Sequence, residues 1–117
     1  MTETLESVVG TWTLFVRTRE RPATATYTAT FEASGPDAYQ GTVTVSGGET
    51  SVTGTWRQAK DMFDEDTNVH FTVADPAGSG TEFHFSGHLV GNAVGGTIRH
   101  GLIDIFFGAW SACRSVG

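Results

Sequence analysis

The chain has few of the residues that cross-link small proteins or build helices. Its 117 residues include one cysteine, Cys113, which excludes an internal disulfide framework and a cysteine-rich metal site. Leucine occurs four times, methionine twice and lysine once, whereas threonine occurs 18 times and phenylalanine eight times. Because β-branched and aromatic residues favour strands, this balance predicts an all-β fold and disfavours a helical bundle.

Positive charge and long apolar runs are also scarce. The net charge of -6 argues against nucleic acid or an anionic membrane as a partner. No apolar run approaches the roughly 20 residues that a membrane-spanning helix needs. The acidic N-terminus, residues 1–7, lacks the basic start and apolar segment of a secretory signal. We therefore predict a cytoplasmic protein, with residues 1–117 forming one domain.

What the sequence does contain is alternation of apolar and polar residues, which recurs about every 14 to 15 residues. It predicts eight short strands at 8–17, 23–33, 38–46, 51–58, 67–75, 81–90, 93–100 and 102–112. All three prolines fall between these strands. With such short connections, strands that are neighbours in sequence pair in space, and eight of them close most simply into an antiparallel up-and-down β-barrel.

The alternation also assigns each side chain to a face. In the second strand a row of threonines occupies one face, and the other face carries Ala25, Tyr27, Ala29 and Phe31. The threonines suit solvent, so the second set should point inward. The same logic turns these residues inward: Trp12, Leu14, Val43, Val45, Val52, Trp56, Val69, Phe71, Val73, Phe83, Phe85 and Leu89. Small residues at inward positions, including Gly41, Gly54 and Gly96, favour an internal cavity over a filled core.

Tryptophan occurs three times in a Gly-x-Trp pattern, at residues 10–12, 54–56 and 108–110. Since alternate strands run in opposite directions, we expect the three indoles to gather at one end of the barrel and close it. The mouth then lies at the other end, framed by residues 18–22, 47–49, 76–80 and the surroundings of Gly101. Three arginines beside it indicate either a receiving site for a carboxylate or phosphate or a solvated loop: Arg17, Arg19 and Arg21.

Gly10-Thr11-Trp12, at the start of the first strand, resembles the signature of the calycin superfamily, which holds lipocalins, fatty-acid-binding proteins and avidins. In lipocalins an arginine after the last strand packs over that tryptophan, and Arg114 is placed to do so through a cation–π contact. Residues 85–91, Phe-Ser-Gly-His-Leu-Val-Gly, are similar to a sixth-strand stretch of avidins. The chain lacks the Thr-Asp-Tyr motif and the disulfide of lipocalins. The resemblance implies a ligand-binding barrel and does not identify the ligand.

The predicted fifth and sixth strands carry three histidines, His70, His84 and His88. With a five-residue turn at 76–80, His70 faces Ser86, and the other two lie diagonally on either side of it. Residues four apart along a strand are about 13 Å apart, too far to share one metal ion. The pattern therefore predicts a surface histidine patch, and we expect neither a metal site nor a cofactor.

The sequence is consistent with two registers for the last hairpin. In the first, strict alternation turns Trp110, Phe106 and Asp104 inward. The apolar residues left outside would then form a patch that predicts a homo-oligomer interface: Phe15, Ile103, Ile105 and Phe107. In the second register a two-residue turn at 100–101 reverses the faces of 103–107, and a bulge at Gly108 returns Trp110 inward.

These features predict that the protein binds a small, largely apolar or aromatic molecule inside the barrel. Stacking and apolar surface would come from Tyr27, Trp56, Phe71, Phe85, Phe106 and Trp110. A polar group of the ligand would be oriented by Tyr39, His100 and Asp104. The alternative is an enzyme that uses the cavity as a conformational template, such as a cyclase or isomerase in natural-product biosynthesis. In that case Tyr27, His100 or Asp104 would act as acid or base.

Overall fold

A computed structural model describes residues 7–19, 23–47, 49–59, 68–76, 80–100 and 105–114. Within these ranges the side chains of residues 37, 38, 100 and 105–107 lie outside the description. The strands are β1 (Gly10–Thr18), β2 (Ala25–Ser34), β3 (Asp37–Gly47), β4 (Thr50–Gln58), β5 (Val69–Ala74), β6 (Glu82–Val90), β7 (Ala93–His100) and β8 (Ile105–Arg114). No helix in the described part of the chain is long and apolar enough to cross a membrane.

The eight strands form one closed barrel. Each strand pairs antiparallel with the next, and β8 pairs with β1, from Trp12 opposite Arg114 to Thr18 opposite Gly108. This confirms the predicted all-β, up-and-down architecture. Every predicted strand is present, with bounds that differ from the observed ones by at most three residues.

The predicted inward and outward faces are also confirmed. On β5 the side chains of Val69, Phe71 and Val73 are buried, and those between them are half-buried. Threonines 24, 26 and 28 of the row in and before β2 are exposed, whereas Ala29 and Phe31 are buried. The apolar half of each strand thus forms a single core inside the barrel.

Three inward glycines do not open space in this core. A Cβ atom added to Gly41, Gly54 or Gly96 would overlap a backbone carbonyl oxygen of an adjacent strand. These positions are glycine because neighbouring backbones approach closely there, a use of glycine that is typical of strongly coiled sheets. The argument that these glycines leave room for a cavity is therefore wrong.

The last hairpin follows neither predicted register in full. Ile98 pairs with Gly108 and Arg99 pairs with Phe106, so Phe107 has no partner and forms a bulge. Because His100 pairs with Ile105, residues 101–104 connect the strands and the two-residue turn is wrong. The bulge expected at Gly108 is present one residue earlier, and Trp110 is buried. Ile103 and Asp104 lie outside the described residues, as do the side chains of Ile105 and Phe107.

One end of the barrel, called here the closed end, lies where β1 begins and β8 ends. The segment before β1 lies across it, and Val8 is completely buried. The Trp12 indole Nε1 donates to the Val8 carbonyl oxygen at 2.9 Å, and the Val8 amide donates to Gln58 Oε1 at 2.9 Å. These three buried residues therefore satisfy polar groups of one another.

Arg114 completes the closed end. Its guanidinium lies 4.5 Å from the centre of the Trp12 ring, and it donates to the carbonyl oxygens of Val9 at 2.9 Å and Ser7 at 3.0 Å. The arginine–tryptophan contact implied by the calycin resemblance is thus confirmed. An eight-stranded closed antiparallel barrel of this kind fits a calycin-like fold.

The three tryptophans do not all lie at the closed end. Trp12 is the third residue of β1 and Trp56 the third from the end of β4, so both lie near it. Trp110 pairs with Val16, four residues further along β1 than Trp12. It therefore belongs to the middle of the barrel, and the predicted plug of three indoles is wrong for Trp110.

Candidate ligand-binding site at the open end

Five aromatic side chains pack together inside the barrel, between its middle and the closed end. Phe71 stacks on Phe85 with ring centroids 4.3 Å apart and planes 8° apart, and Trp110 meets these two rings edge-on at 5.1 and 5.7 Å. Phe31 lies edge-on to Phe71 at 5.3 Å and to Trp56 at 5.8 Å. The structure thus brings together four of the predicted ligand contacts, but packs them against one another. We call these five residues the aromatic floor.

The polar edges of the floor are already engaged. Trp56 Nε1 donates to the carbonyl oxygen of Glu32 at 3.0 Å, and Trp110 Nε1 donates to that of Ser86 at 3.1 Å. An indole nitrogen can only donate, and it donates once. These two tryptophans therefore offer apolar surface and no hydrogen bond to a ligand.

The opposite end, called here the open end, lies where β1 ends and β4 begins. Two hydrophobic side chains that pack against the core remain partly exposed, Tyr27 and Val52, and both lie at this end. Ala25 beside them is half-buried. A Cβ at Gly47 would lie 2.5 Å from Tyr27 Cδ1, so the tyrosine ring rests over that glycine. We call Ala25, Tyr27, Gly47 and Val52 the open-end surface.

The open-end surface lies where the sequence predicts the mouth, near residues 47–49. Tyr27 and Gly47 also border a depression of about 300 Å³. Its other walls are hydroxyl side chains on the outer face: Thr13, Thr26, Thr28 and Ser46. Solvent therefore reaches Tyr27 from the side of the barrel as well as the end.

Two buried polar residues at the open end were missed by the sequence analysis. Thr18 ends β1 with 6% of its surface exposed, and Asp75 follows β5 with 2% exposed. The Asp75 amide donates to the Thr81 carbonyl oxygen at 2.7 Å. The signal was present, because alternation from Val73 places Asp75 on the inward face. Asp75 thus places a buried carboxylate at the same end of the barrel as the open-end surface.

The predicted polar anchors are not all at this end. Tyr39 is the third residue of β3 and lies towards the closed end, whereas Tyr27 is the third residue of β2 and lies at the open end. The two tyrosines therefore cannot serve one small ligand. Asp104 and the side chains of His100 and Phe106 lie outside the described residues. Of the three predicted acid–base groups, only Tyr27 can be placed.

The histidines lie on the outer face, as predicted. His70 pairs with Ser86, and its Nδ1 lies 3.0 Å from the serine Oγ. His84 Nε2 lies 3.2 Å from Glu82 Oε1, with 41% of the His84 side chain and 65% of the Glu82 side chain exposed. Among the described residues, no three side chains of the metal-binding types come together.

Comparisons with known proteins assign neither a family nor a function to the chain. No protein-family model matches the chain, and no curated protein or solved structure is significantly similar to it. The case for function therefore rests on the geometry of the barrel itself.

Proposed function

We propose that the protein binds a small, largely apolar or aromatic molecule at the open-end surface. The observation that carries this proposal is the position of Tyr27 and Val52. They are partly exposed and pack against a core whose other apolar side chains are buried, and both lie at one end of the barrel. Apolar surface that a fold leaves uncovered in a concave place is a typical ligand contact.

The energetics favour a small ligand. Covering apolar surface yields roughly 25 cal/mol per Å², so shielding about 100 Å² on Tyr27 and Val52 contributes about 2.5 kcal/mol. An aromatic ligand gains about 0.5–1.5 kcal/mol more by packing against the Tyr27 ring. The interior of the barrel is a packed core in which the rings of the aromatic floor already touch one another, so the site is shallow. The ligand therefore rests on the filled core near its rim.

Polar groups near this site would orient the ligand. Tyr27 carries a hydroxyl on a side chain that is partly exposed at the open end, and Asp75 supplies a buried carboxylate at the same end of the barrel. His100 and Asp104 stay predicted anchors. The alternative of a cyclase or isomerase with Tyr27, His100 or Asp104 as acid or base also stays a prediction.

The test is titration with 1-anilinonaphthalene-8-sulfonate, an aromatic dye, followed by its fluorescence and by backbone amide shifts. We expect saturable binding that shifts the amides of Ala25, Tyr27, Gly47 and Val52. Tyr27→Ala and Val52→Asn should each weaken binding of the dye by about five- to tenfold, since each removes about 1 kcal/mol of binding free energy.

Matched controls come from the neighbouring residues on the opposite face. Ser51→Ala and Thr53→Ala change exposed side chains on either side of Val52, and should leave dye binding unchanged. Thermal unfolding confirms that each variant is folded. Equal binding by all four variants, or shifts confined to the outer face, would refute the proposal.

The proposal also covers the fold family, the cellular location and the assembly of the protein. We propose that the barrel is calycin-like, which the Arg114–Trp12 contact supports. A cytoplasmic location is supported by Cys113, an exposed thiol without a disulfide, because reducing compartments preserve such thiols. Assembly into a homo-oligomer through Phe15, Ile103, Ile105 and Phe107 remains proposed, with Phe15 half-buried on the outer face of β1.

A further inference from the structure

The outer surface of the barrel carries an open groove of about 500 Å³ across β3, β4 and β5. Gln40 and Thr42 of β3, Thr55 and Arg57 of β4, and His70 and Thr72 of β5 line it. Gly41, Trp56 and Phe71 contribute to its floor. Every polar side chain of this lining can donate a hydrogen bond, and none is a carboxylate.

The pairing of strands arranges these donors in two adjacent rows. In one row Gln40 lies opposite Arg57, and Arg57 lies opposite His70. In the other, Thr42 lies opposite Thr55, and Thr55 lies opposite Thr72. Side chains directly opposite one another on a sheet are close enough to bind one small group together.

Arg57 lies in the groove without a charged partner among the residues that the structure describes. It is exposed and makes no ion pair with any described residue. His70 is half-buried, and its ring is oriented by the 3.0 Å contact with Ser86. When His70 is protonated, it and Arg57 are like charges placed directly opposite each other, and an anion between them would relieve their repulsion.

We propose that this groove binds a tetrahedral oxyanion, a sulfate or phosphate group carried by a small molecule, between Arg57 and His70. The guanidinium offers the planar fork of N–H donors that matches such oxygens. The hydroxyls of Thr55 and Thr72 supply further donors in the adjacent row. The site is separate from the open-end surface and does not depend on the function proposed there.

Charge in the surroundings is mixed, since the exposed Glu32 of β2 lies opposite Thr42 at the edge of the groove. His70 is faced by Arg57 on β4 and by Ser86 on β6, with His84 and His88 two residues to either side of Ser86. Glu82, the nearby carboxylate of β6, is held by His84 at 3.2 Å. Because histidine becomes cationic as the pH falls through about 6.5, oxyanion binding should tighten towards acidic pH.

The experiment is titration with sodium sulfate against sodium chloride at equal ionic strength, followed by backbone amide shifts. Sulfate keeps its charge between about pH 5.5 and 7.5, so any change in affinity over that range belongs to the protein. We expect saturable shifts at Thr55, Arg57, His70 and Thr72, with tighter binding at the lower pH. Arms with methyl phosphate and with acetate then distinguish phosphate esters and carboxylates from sulfate.

Arg57→Gln should weaken sulfate binding at least about fivefold, and His70→Asn should reduce the pH dependence of that binding. Arg99→Gln makes the same change of charge on the outer face opposite His84, outside the groove, and should leave binding unchanged. Tyr27→Ala should also leave it unchanged, which separates this site from the open-end surface. Shifts that do not saturate, or equal losses in the Arg57 and Arg99 variants, would overturn the proposal.

Discussion

Arg114 joins two parts of the chain that are more than 100 residues apart in sequence. It donates to the Val9 and Ser7 carbonyl oxygens, across separations of 105 and 107 residues, and lies over the Trp12 ring. Its Nε is buried without a hydrogen-bond partner, so part of this gain is offset by desolvation. The balance still favours the native contact, because two hydrogen bonds from a charged donor and a cation–π contact act together.

Replacing this residue should therefore have a measurable cost. Arg114→Ala should lower the free energy of unfolding by about 2–3 kcal/mol, through loss of the ring contact and both hydrogen bonds. Urea denaturation followed by tryptophan fluorescence measures the change. Arg57→Ala removes an exposed arginine without an ion pair to any described residue, and should stay within about 0.5 kcal/mol. Equal losses in the two variants would show that the Arg114 contacts contribute nothing specific.

At the scale of single residues, the sequence predicts the face of a side chain well. Period-2 alternation correctly placed Phe71, Phe85 and Trp56 inside, because a strand leaves only two choices. The position along the barrel needs strand direction as well. Tyr27 and Tyr39 are each the third residue of a strand, but β2 and β3 run in opposite directions, so the two tyrosines lie at opposite ends of the barrel. The same reasoning would have placed Asp75 at the open end.

At the scale of strands, glycine controls how closely neighbouring backbones approach. The Cβ that alanine would bring to Gly54 overlaps the Thr72 carbonyl oxygen on β5. Backbone cannot move aside as a side chain can, so the strand pair itself would have to separate. At Gly47 the obstacle is the Tyr27 ring, at 2.5 Å from the added Cβ, and this ring is only partly buried.

The two glycines should therefore respond differently to the same substitution. Gly54→Ala should lower the free energy of unfolding by about 3 kcal/mol, the upper range for overpacking, whereas Gly47→Ala should cost less than about 1 kcal/mol. Denaturant unfolding compares them, with amide spectra to confirm the β4–β5 pairing. If Gly54→Ala were as stable as the parent protein, this result would contradict the close approach of β4 and β5 at Gly54.

The strands were predicted well except for the last hairpin, and the reason is local. Residues 102–107, Leu-Ile-Asp-Ile-Phe-Phe, are almost continuously apolar, so neither face of that stretch is marked by polar residues. A bulge at Phe107 then shifts the register by one residue, which period-2 alternation cannot represent. The cavity predicted from the inward glycines failed for a different reason. A glycine in a strand is consistent with empty space beside it and equally with a neighbouring backbone that approaches closely.

At the scale of the whole molecule, the two ends of the barrel differ. The closed end is covered by residues 7–9 and fixed by Trp12, Gln58 and Arg114. The open end leaves Tyr27 and Val52 partly exposed. The sequence indicated this polarity through the position of Gly10-Thr11-Trp12, but the covering role of Val8 depends on contacts across 50 residues and was not visible in the pattern.

The covering segment supplies a paired test. Val8 is fully buried and Val9 is 38% exposed, so Val8→Ala should cost about 2 kcal/mol and Val9→Ala well under about 1 kcal/mol. Loss of Val8 should also shift Trp12 emission to longer wavelength, because water gains access to the indole. Urea unfolding and emission spectra give both values. Similar effects in the two variants would contradict a covering role for Val8.

Closure of the sheet makes the order of strands a cycle. The β1–β8 seam has seven paired positions, as many as the β1–β2 hairpin, so it is a full member of the ring. It is also the one seam that joins opposite ends of the chain, and its loop-closure entropy makes it the costliest to form. The order of strands in a closed ring has no fixed starting point. A polypeptide in which β8 is linked to β1 and the chain is opened at the Gly35 turn should therefore form the same ring. The loop-closure entropy would then be lost on pairing β2 with β3.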